Sequence, residues 1–511
     1  MARKILFITT DQQRFDALGC NGGLIARTPT IDGWARSGRN YTRAYNQNTV
    51  CMPARSTMLT GQYVRTHGVV SNGIPLPLDA PDVARQLKFH GGYRTALIGK
   101  AHFEPASDPN QSYFENYAAK SGSTGPHRGF DHMELAGHTG RPGRSVFHYP
   151  KWLGDHHPQH VDSYYLRITP DKRVNGEGGG DSMAPQVWHN AIPRELYSTD
   201  WVADRSIDWL TNVKADDNWF LWMSFPDPHH PWDPPQSELH RCPWRDLDVP
   251  PSYPGSVETI ESILREKPRH WLDWYQGKAQ FNFEVPPNYI PAQTTADQIR
   301  EVNAMVHISN ELIDEACGRV VDYIKSRGWD EDTDIFYTTD HGELQGDFGM
   351  LFKGPYHVDS LMRVPMIWRP APSANLPAAT INEAVGHLDL AATFCDIAGV
   401  PADASAQGRP LPGPGEAGRG YAITEWDSDF DGNDLKLRSI YADGWVCTRY
   451  DATNYYAGTE GELYDVENDP YQWHNLWDEP SASGMRRDLL ALLCDKLPAP
   501  REPALKAVAL V

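Results

Sequence analysis

The sequence predicts an α/β protein built on a mostly parallel sheet. Three observations lead there: four uninterrupted apolar runs that each end in polar, chemically capable residues, helical apolar periods between them, and a change of texture near residue 416 toward hairpin signals. Continuous apolar runs suit parallel strands buried on both faces, and strands alternating with helices suit a sheet covered on both sides.

The first run, Ile5-Leu6-Phe7-Ile8, ends at Thr9-Thr10-Asp11-Gln12. Next, Cys51-Met52-Pro53-Ala54-Arg55 reads as a helix start, with Pro53 at the first position and Gly61 as the stop. Proline is tolerated there, and glycine accepts the left-handed cap. Residues four apart share a helix face, so Arg55 is expected to point at whatever Cys51 carries. The second strand, Thr95-Ala96-Leu97-Ile98-Gly99, leads to Lys100 and His102. Trp201, Val202, Trp209 and Leu210 keep a helical period before the third, Trp219-Phe220-Leu221-Trp222-Met223-Ser224-Phe225, which ends at Asp227-Pro228-His229. Val302, Val306, Ile313, Ala316, Val320 and Ile324 hold another helical period until Gly328. The fourth strand, Asp334-Ile335-Phe336-Tyr337-Thr338-Thr339, ends at Asp340-His341, and Leu388 through Ala398 reads as a helix closed by Gly399.

The Pro- and Gly-rich stretch 408–418 reads as a linker. Beyond it, Ser439-Ile440-Tyr441-Ala442 and Trp445-Val446-Cys447-Thr448 flank Asp443-Gly444, a two-residue hairpin signal, and a helical segment follows over 485–497. The expected division is therefore a catalytic domain over 1–415 and a smaller α+β domain over 416–511. The stretch 120–194, rich in Gly, His and Trp and including Glu177-Gly178-Gly179-Gly180, has no clear period and is read as loops over the sheet edge.

Composition bounds the function. With 511 residues, 40% of them apolar, the chain can fill a large core. No apolar run is long enough to span a membrane, and Met1-Ala2-Arg3-Lys4 leads straight into a strand, so a cytoplasmic protein with no membrane partner is expected. The seven cysteines (Cys20, Cys51, Cys242, Cys317, Cys395, Cys447, Cys494) are odd in number and scattered, which argues against a disulfide framework. A net charge of -20 disfavours nucleic acid, and an anionic substrate would need a local basic pocket to offset it.

Ligands of open α/β sheets bind beyond the carboxyl ends of the strands, so the four polar endings should form one site. Asp11, Gln12 and Asp340 offer oxygens to a hard divalent ion, and His341 adds a nitrogen that tilts the choice toward a transition ion; simple turn capping is the rival explanation. Lys100, His102, His229 and Lys353 can surround a small tetrahedral anion, one histidine giving a proton to the departing oxygen and the other taking one from the nucleophile. His230 competes with His229 for its role. Cys51 at a helix N-terminus, with Arg55 one turn on, suits an anion, whereas a buried core cysteine would leave Pro53 and Arg55 idle. On this evidence Cys51 could equally be a thiolate nucleophile. The seven histidines between His127 and His160 match no compact ligand spacing and are assigned to loops or a substrate pocket.

These motifs, in this order, resemble the type I sulfatases of the alkaline phosphatase superfamily over nearly the whole chain. The resemblance is carried by Cys51-x-Pro53-x-Arg55 with Leu59-Thr60-Gly61, by Gly92-Tyr93-x-Thr95-x-x-Ile98-Gly99-Lys100-x-His102, and by Pro228-His229-x-Pro231. Thr339-Asp340-His341-Gly342-Glu343, Lys353, and Glu462-Leu463-Tyr464-Asp465 with Asn468-Asp469-Pro470 complete it. Gln12 and His341 look like the group that includes phosphonate monoester hydrolases and choline sulfatases, in which Asn72 would be a further substrate contact.

The resemblance implies an alkaline phosphatase-like fold with an antiparallel sheet in its C-terminal part. It implies that Cys51 is oxidised to formylglycine by a formylglycine-generating enzyme, and that one divalent ion, calcium or manganese, is held by Asp11, Gln12, Cys51, Asp340 and His341. It further implies that Arg55 and Lys100 hold nucleophile and charge, that His229 and Lys353 contact the sulfate, and that His102 ends a covalent sulfo-enzyme cycle. The expected substrate is a small sulfate monoester. A phosphonate monoester or phosphodiester is the alternative within the enzyme class, and a non-catalytic anion-binding protein the alternative outside it. A homo-oligomer is expected.

Overall fold

The four apolar runs become neighbouring or near-neighbouring strands of one sheet. The structure is a computed structural model that describes residues 3–509 except 107, 109, 111, 138–146, 162–177, 282–284 and 287. Its central sheet comprises β1 (Lys4–Thr10), β2 (Arg39–Tyr41), β3 (Arg94–Gly99), β4 (His132–Leu135), β5 (Trp219–Ser224), β6 (Thr333–Thr339), β7 (Met366–Arg369) and β8 (Ala379–Ile381), in the order β8-β2-β7-β6-β1-β5-β3-β4. Only β7 runs against its neighbours; every other pair in the sheet is parallel.

Register sets the site. Thr10 lies beside Thr339, Thr9 beside Ser224, and Gly99 beside Ser224, so β1, β6, β5 and β3 release their following residues at one level. Gly99 has φ 106, and a Cβ there would lie 1.7 Å from the Ser224 carbonyl oxygen. Only glycine lets β3 turn out so close to β5. Alternate residues of each strand enter opposite cores, as the two-residue repeat requires. Ile5, Phe7, Leu97, Phe220, Trp222 and Phe336 pack on one face, and Leu6, Ile8, Ile98, Leu221, Met223 and Tyr337 on the other.

Seven helices matter to the site or its support: α1 (Cys51–Thr60), α2 (Val83–Gly91), α3 (Phe114–Ser121), α4 (Ser198–Thr211), α5 (Ala296–Ser326), α6 (Leu388–Ala398) and α7 (Ser483–Lys496). The 31-residue α5 opens on a capping box, Thr295 with Gln298. Gly61 and Gly399 close α1 and α6 in the left-handed conformation, as expected. Met52, Met58, Leu59, Leu390 and Phe394 join the first core, while Trp201, Val202, Ile308, Leu312 and Val320 join the second. Among the described residues, no helix is long and apolar enough to cross a membrane. The seven cysteines are free.

A second, antiparallel sheet follows: β9 (Ala422–Phe430), β10 (Asn433–Ala442), β11 (Trp445–Tyr450) and β12 (Gly461–Asp465). Asp443 (φ 47) and Gly444 (φ 81) make the tight turn between β10 and β11. Leu489 and Leu493 of α7 pack on Ile423, Ile440 and Leu463 of this sheet. Its edge strand braces the segment that leads into α1: Thr424 Oγ1 donates to Asn46 O at 2.6 Å, Glu425 N to Gln47 O at 3.0 Å, and Asn48 Nδ2 to Glu425 O at 2.7 Å.

Three expectations need correction. Helix α1 begins at Cys51 with Val50 as its cap, so Pro53 is the third residue, not the first. Nothing is lost, because all N–H groups of the first turn lack an intrahelical acceptor and Ala54 N is the one that reaches back to Val50 O. The stretch 120–194 is not all loop: it holds the edge strand β4 and a helix over His148–His156. Both escape sequence reading, since β4 alternates His132-Met133-Glu134-Leu135 without an apolar run and the helix contains Pro150 and Gly154. Residues 408–418 are no free tether, for Gly408 N bonds Gly61 O, Arg409 N an Asp389 carboxylate oxygen, and Leu411 N Thr393 Oγ1. Met1, Ala2, His138 and Glu177 lie outside the described residues.

Candidate active site

Cys51 opens α1 directly over the carboxyl ends of the strands and is 1% exposed. Its Sγ lies 3.2 Å from His341 Nε2, 3.4 Å from Lys353 Nζ, 3.5 Å from Lys100 Nζ and 3.6 Å from Asp11 Oδ1. Four residues, from the ends of β1 and β3 and from the segment that follows β6, thus converge on one atom. Burial and the Asp11 carboxylate push the Cys51 thiol up to about 12, against the pull of Lys100 and Lys353. Burial, the largest influence, therefore favours the thiol over the thiolate.

The candidate metal ligands gather beside it. One ligand atom from each of Asp11, Cys51, Asp340 and His341 lies within 4.8 Å of the others, and all four residues are buried. His341 Nδ1 faces Gly342 O at 2.9 Å, and a carbonyl can only accept, so Nδ1 carries the hydrogen and the Nε2 lone pair faces Cys51. Burial holds the His341 imidazole down to about 4, against the raising effect of Asp340, so it is neutral at physiological pH. Burial alone would raise Asp11, yet Lys100, His229, Arg55 and Lys353 hold its carboxyl well below the usual range. Two carboxylates and a correctly oriented imidazole nitrogen are a donor set that fits one divalent cation. Gln12, with φ 63, turns its amide oxygen to Lys353 Nζ at 2.9 Å and its Nε2 to Glu343 and to His230 Nδ1.

Arg55 does not aim at Cys51 as the helix spacing predicts. Its Nε donates to Asp340 Oδ2 at 2.8 Å, Nη1 to Lys100 O and Ser224 Oγ, both at 2.9 Å, and Nη2 to Thr10 O at 3.3 Å. A fully buried guanidinium thereby ties β1, β3, β5 and β6 together at their ends. The planar fork is what makes four simultaneous bonds possible.

Lys353 Nζ sits 2.7 Å from His229 Nε2, while His229 Nδ1 faces the carbonyl of His230. By the same logic His229 is the Nδ1–H tautomer, with Nε2 accepting from the ammonium. Burial and the Lys353 charge hold His229 well below its ordinary value, so the proton shared by this pair resides on Lys353. The loop that carries His229 is anchored by Asp227, whose carboxylate accepts from Tyr197 Oη at 2.7 Å, Ser198 Oγ at 3.0 Å and Thr199 Oγ1 at 2.6 Å at the start of α4. Lys100 Nζ pairs with Asp11 Oδ2. Asn72 Oδ1 accepts from Met52 N at 2.9 Å, which places it against the first turn of α1. His102 is buried on the turn that follows β3.

Sequence reading missed Ser224, Glu343 and Asp227 as partners of the site. Asp227 and Glu343 lay inside motifs already picked out; Ser224 gave no signal, being one polar residue at the end of an apolar strand. Three of the histidines of 120–160 have separate structural roles: His127 bonds Glu104, His132 bonds Glu134, and His148 joins Leu135 N to Ser123 O.

Comparison with known proteins places the chain in a family. Residues 346–497 match a family described as N-sulphoglucosamine sulphohydrolase, C-terminal. An uncharacterized sulfatase, YidJ, of Escherichia coli K12 is 25% identical over 504 residues, covering 98% of this chain and 88% of that protein. An arylsulfatase of Clostridium perfringens is 25% identical over 486 residues, covering 93% of this chain and 90% of its own. In fold, the crystal structure of a phosphonate monoester hydrolase of Agrobacterium radiobacter superposes with a TM-score of 0.78 over 99% of both chains, at 23% identity. The sulfatase family model matches residues 3–400, a span that takes in the ends of β1, β3, β5 and β6, and the chain belongs to the sulfatase family.

Proposed function

We infer that this protein is a formylglycine- and metal-dependent hydrolase of small sulfate monoesters. The observation that carries the reading is Cys51 at the start of α1, within 3.6 Å of two lysines, an aspartate and the lone pair of His341. In that setting burial favours the thiol over the thiolate, so a nucleophile made by oxidising Cys51 serves the site better than the cysteine itself. A formylglycine-generating enzyme is the partner this requires.

When bound by Asp11, Gln12, Asp340 and His341, a divalent cation supplies positive charge at the strand edge, and formylglycine supplies an oxygen nucleophile in place of sulfur. Calcium and manganese both suit the carboxylates, and the imidazole favours manganese. The side chains do the rest. Lys100 and Lys353 bring two ammonium groups to the place where the oxygens of a monoanionic ester must lie, which offsets the -20 charge of the whole chain locally. Lys353, which holds the proton of its pair with His229, is placed to protonate the departing oxygen, with His229 fixing the ammonium's direction. Arg55 holds the Asp340 carboxylate in place through its Nε. The near-complete burial of Cys51, Asp11, Asp340 and His341 excludes bulk water and strengthens each of these interactions. His102 serves the end of the cycle, taking a proton as the sulfate departs, and Asn72 contacts the substrate beside α1.

A phosphonate monoester or phosphodiester carries the same single charge and tetrahedral shape, and the Gln12 and His341 pair favours this second reading. Side-by-side kcat/KM on an aryl sulfate, a phenylphosphonate monoester and a phosphodiester separates the two. The aryl sulfate should be preferred; preference for phosphorus by orders of magnitude would reverse the assignment. Exhaustive chelation should abolish turnover, and restoration should need one divalent ion per chain by metal analysis. Two ions per chain would point to a two-metal phosphatase mechanism instead.

A further inference from the structure

A carboxylate outside every motif sits behind His102. His102 has φ 58, a left-handed conformation that non-glycine residues seldom adopt. Its N–H donates to Glu115 Oε2 at 2.9 Å, and the N–H of Phe103 donates to Glu115 Oε1 at 3.0 Å. Both oxygens of one carboxylate are thus spent on two successive backbone donors, an arrangement available only while the chain keeps this turn. Glu115 lies in the first turn of α3 and is 1% exposed.

The support runs one layer deeper. Glu115 N donates to Glu104 Oε2 at 3.0 Å, while Glu104 Oε1 takes His127 Nε2 at 3.0 Å and Arg128 Nη2 at 3.2 Å. Leu76 N holds Phe103 O at 2.9 Å on the other side of the turn. Burial and the neighbouring Glu104 carboxylate push Glu115 up to about 8. A buried acid so unfavourable to ionise is a poor choice for filling space, and an apolar side chain would fill it with less penalty. Its fit to two adjacent N–H groups is what it offers.

We propose that Glu115 is a positioning residue for His102, clamping the His102–Phe103 turn so that the imidazole is held where the cycle ends. The inference rests on the reading of His102 given above.

The test compares wild type, Glu115→Ala, Glu115→Gln, His102→Ala and the Glu115→Ala/His102→Ala double variant on an aryl sulfate, with conversion of residue 51 matched by peptide mass. A group needed only for the last step leaves kcat/KM unchanged while kcat and KM fall together, and leaves a burst of leaving-group release. His102→Ala should show that pattern with kcat lowered by about 10²–10⁴-fold. Glu115→Ala should show the same pattern at about 10–100-fold, the scale of a slight misplacement, and should add nothing in the double variant. Glu115→Gln keeps the volume and one acceptor, should fall between, and supplies the reading if the alanine variant does not fold. Losses that multiply in the double variant, or a fall in kcat/KM alongside kcat, would overturn the proposal and leave Glu115 as packing. An unimpaired His102→Ala would overturn the role of His102 itself, and this proposal with it; an impaired His102→Ala with multiplying losses overturns the proposal alone.

Discussion

Replacing Arg55 with alanine should destabilise the protein by about 3–5 kcal/mol, the cost of leaving a buried charge without its partner. Asp340 is fully buried, and its Oδ2 is held by Arg55 Nε. Oδ1 keeps the N–H groups of Gln12 and His341, so the carboxylate would stay half-satisfied in a dry site. Lys100 O, Ser224 Oγ and Thr10 O would lose donors in the same step. Arg55→Lys restores a charge but not the fork, and should recover only part of the loss. The measurement is the shift in denaturation midpoint at unchanged slope, taken with metal content on the same samples. A shift worth less than about 1 kcal/mol would mean that Arg55 is an exposed-type ion pair in effect, contrary to its burial.

The second large effect concerns Cys51. Cys51→Ala should lower kcat by on the order of 10⁴-fold or more, as removal of a covalent nucleophile does. Stability should hardly change, because the thiol leaves no charge behind and its neighbours remain paired: Lys100 with Asp11, and Lys353 with Gln12 and His229. The variant should still bind sulfate competitively, since both ammonium groups persist. Loss of sulfate binding together with turnover would show that Cys51 holds the site together rather than reacting in it.

The parts of this fold that could be read in advance are those dictated by burial on two faces. The runs at Ile5, Thr95, Trp219 and Asp334 are apolar without a break because their strands lie in the interior of the sheet, and that leaves little else they could be. β2, β4, β7 and β8 were not legible, because Arg39-Asn40-Tyr41 and His132-Met133-Glu134-Leu135 are short and mixed, and such segments become strands only through the neighbours that reach them. The site divides the same way. Residue types at strand ends were visible, since chemistry needs those types there. Pairings were not: Arg55 and Asp340 are 285 positions apart, and helix spacing alone aimed Arg55 at Cys51. Glu115 had no signal at all, because a carboxylate that serves two backbone N–H groups looks in sequence like any other helix-start glutamate.

The thiolate and formylglycine readings of Cys51 make the same prediction for its removal, and they part only on what residue 51 is in the working enzyme. The direct measurement is the mass of the peptide carrying residue 51, taken from preparations of graded activity. The account predicts the aldehyde form, in a fraction that rises in proportion to turnover per chain. Full turnover from a preparation whose residue 51 is an unmodified cysteine would contradict it.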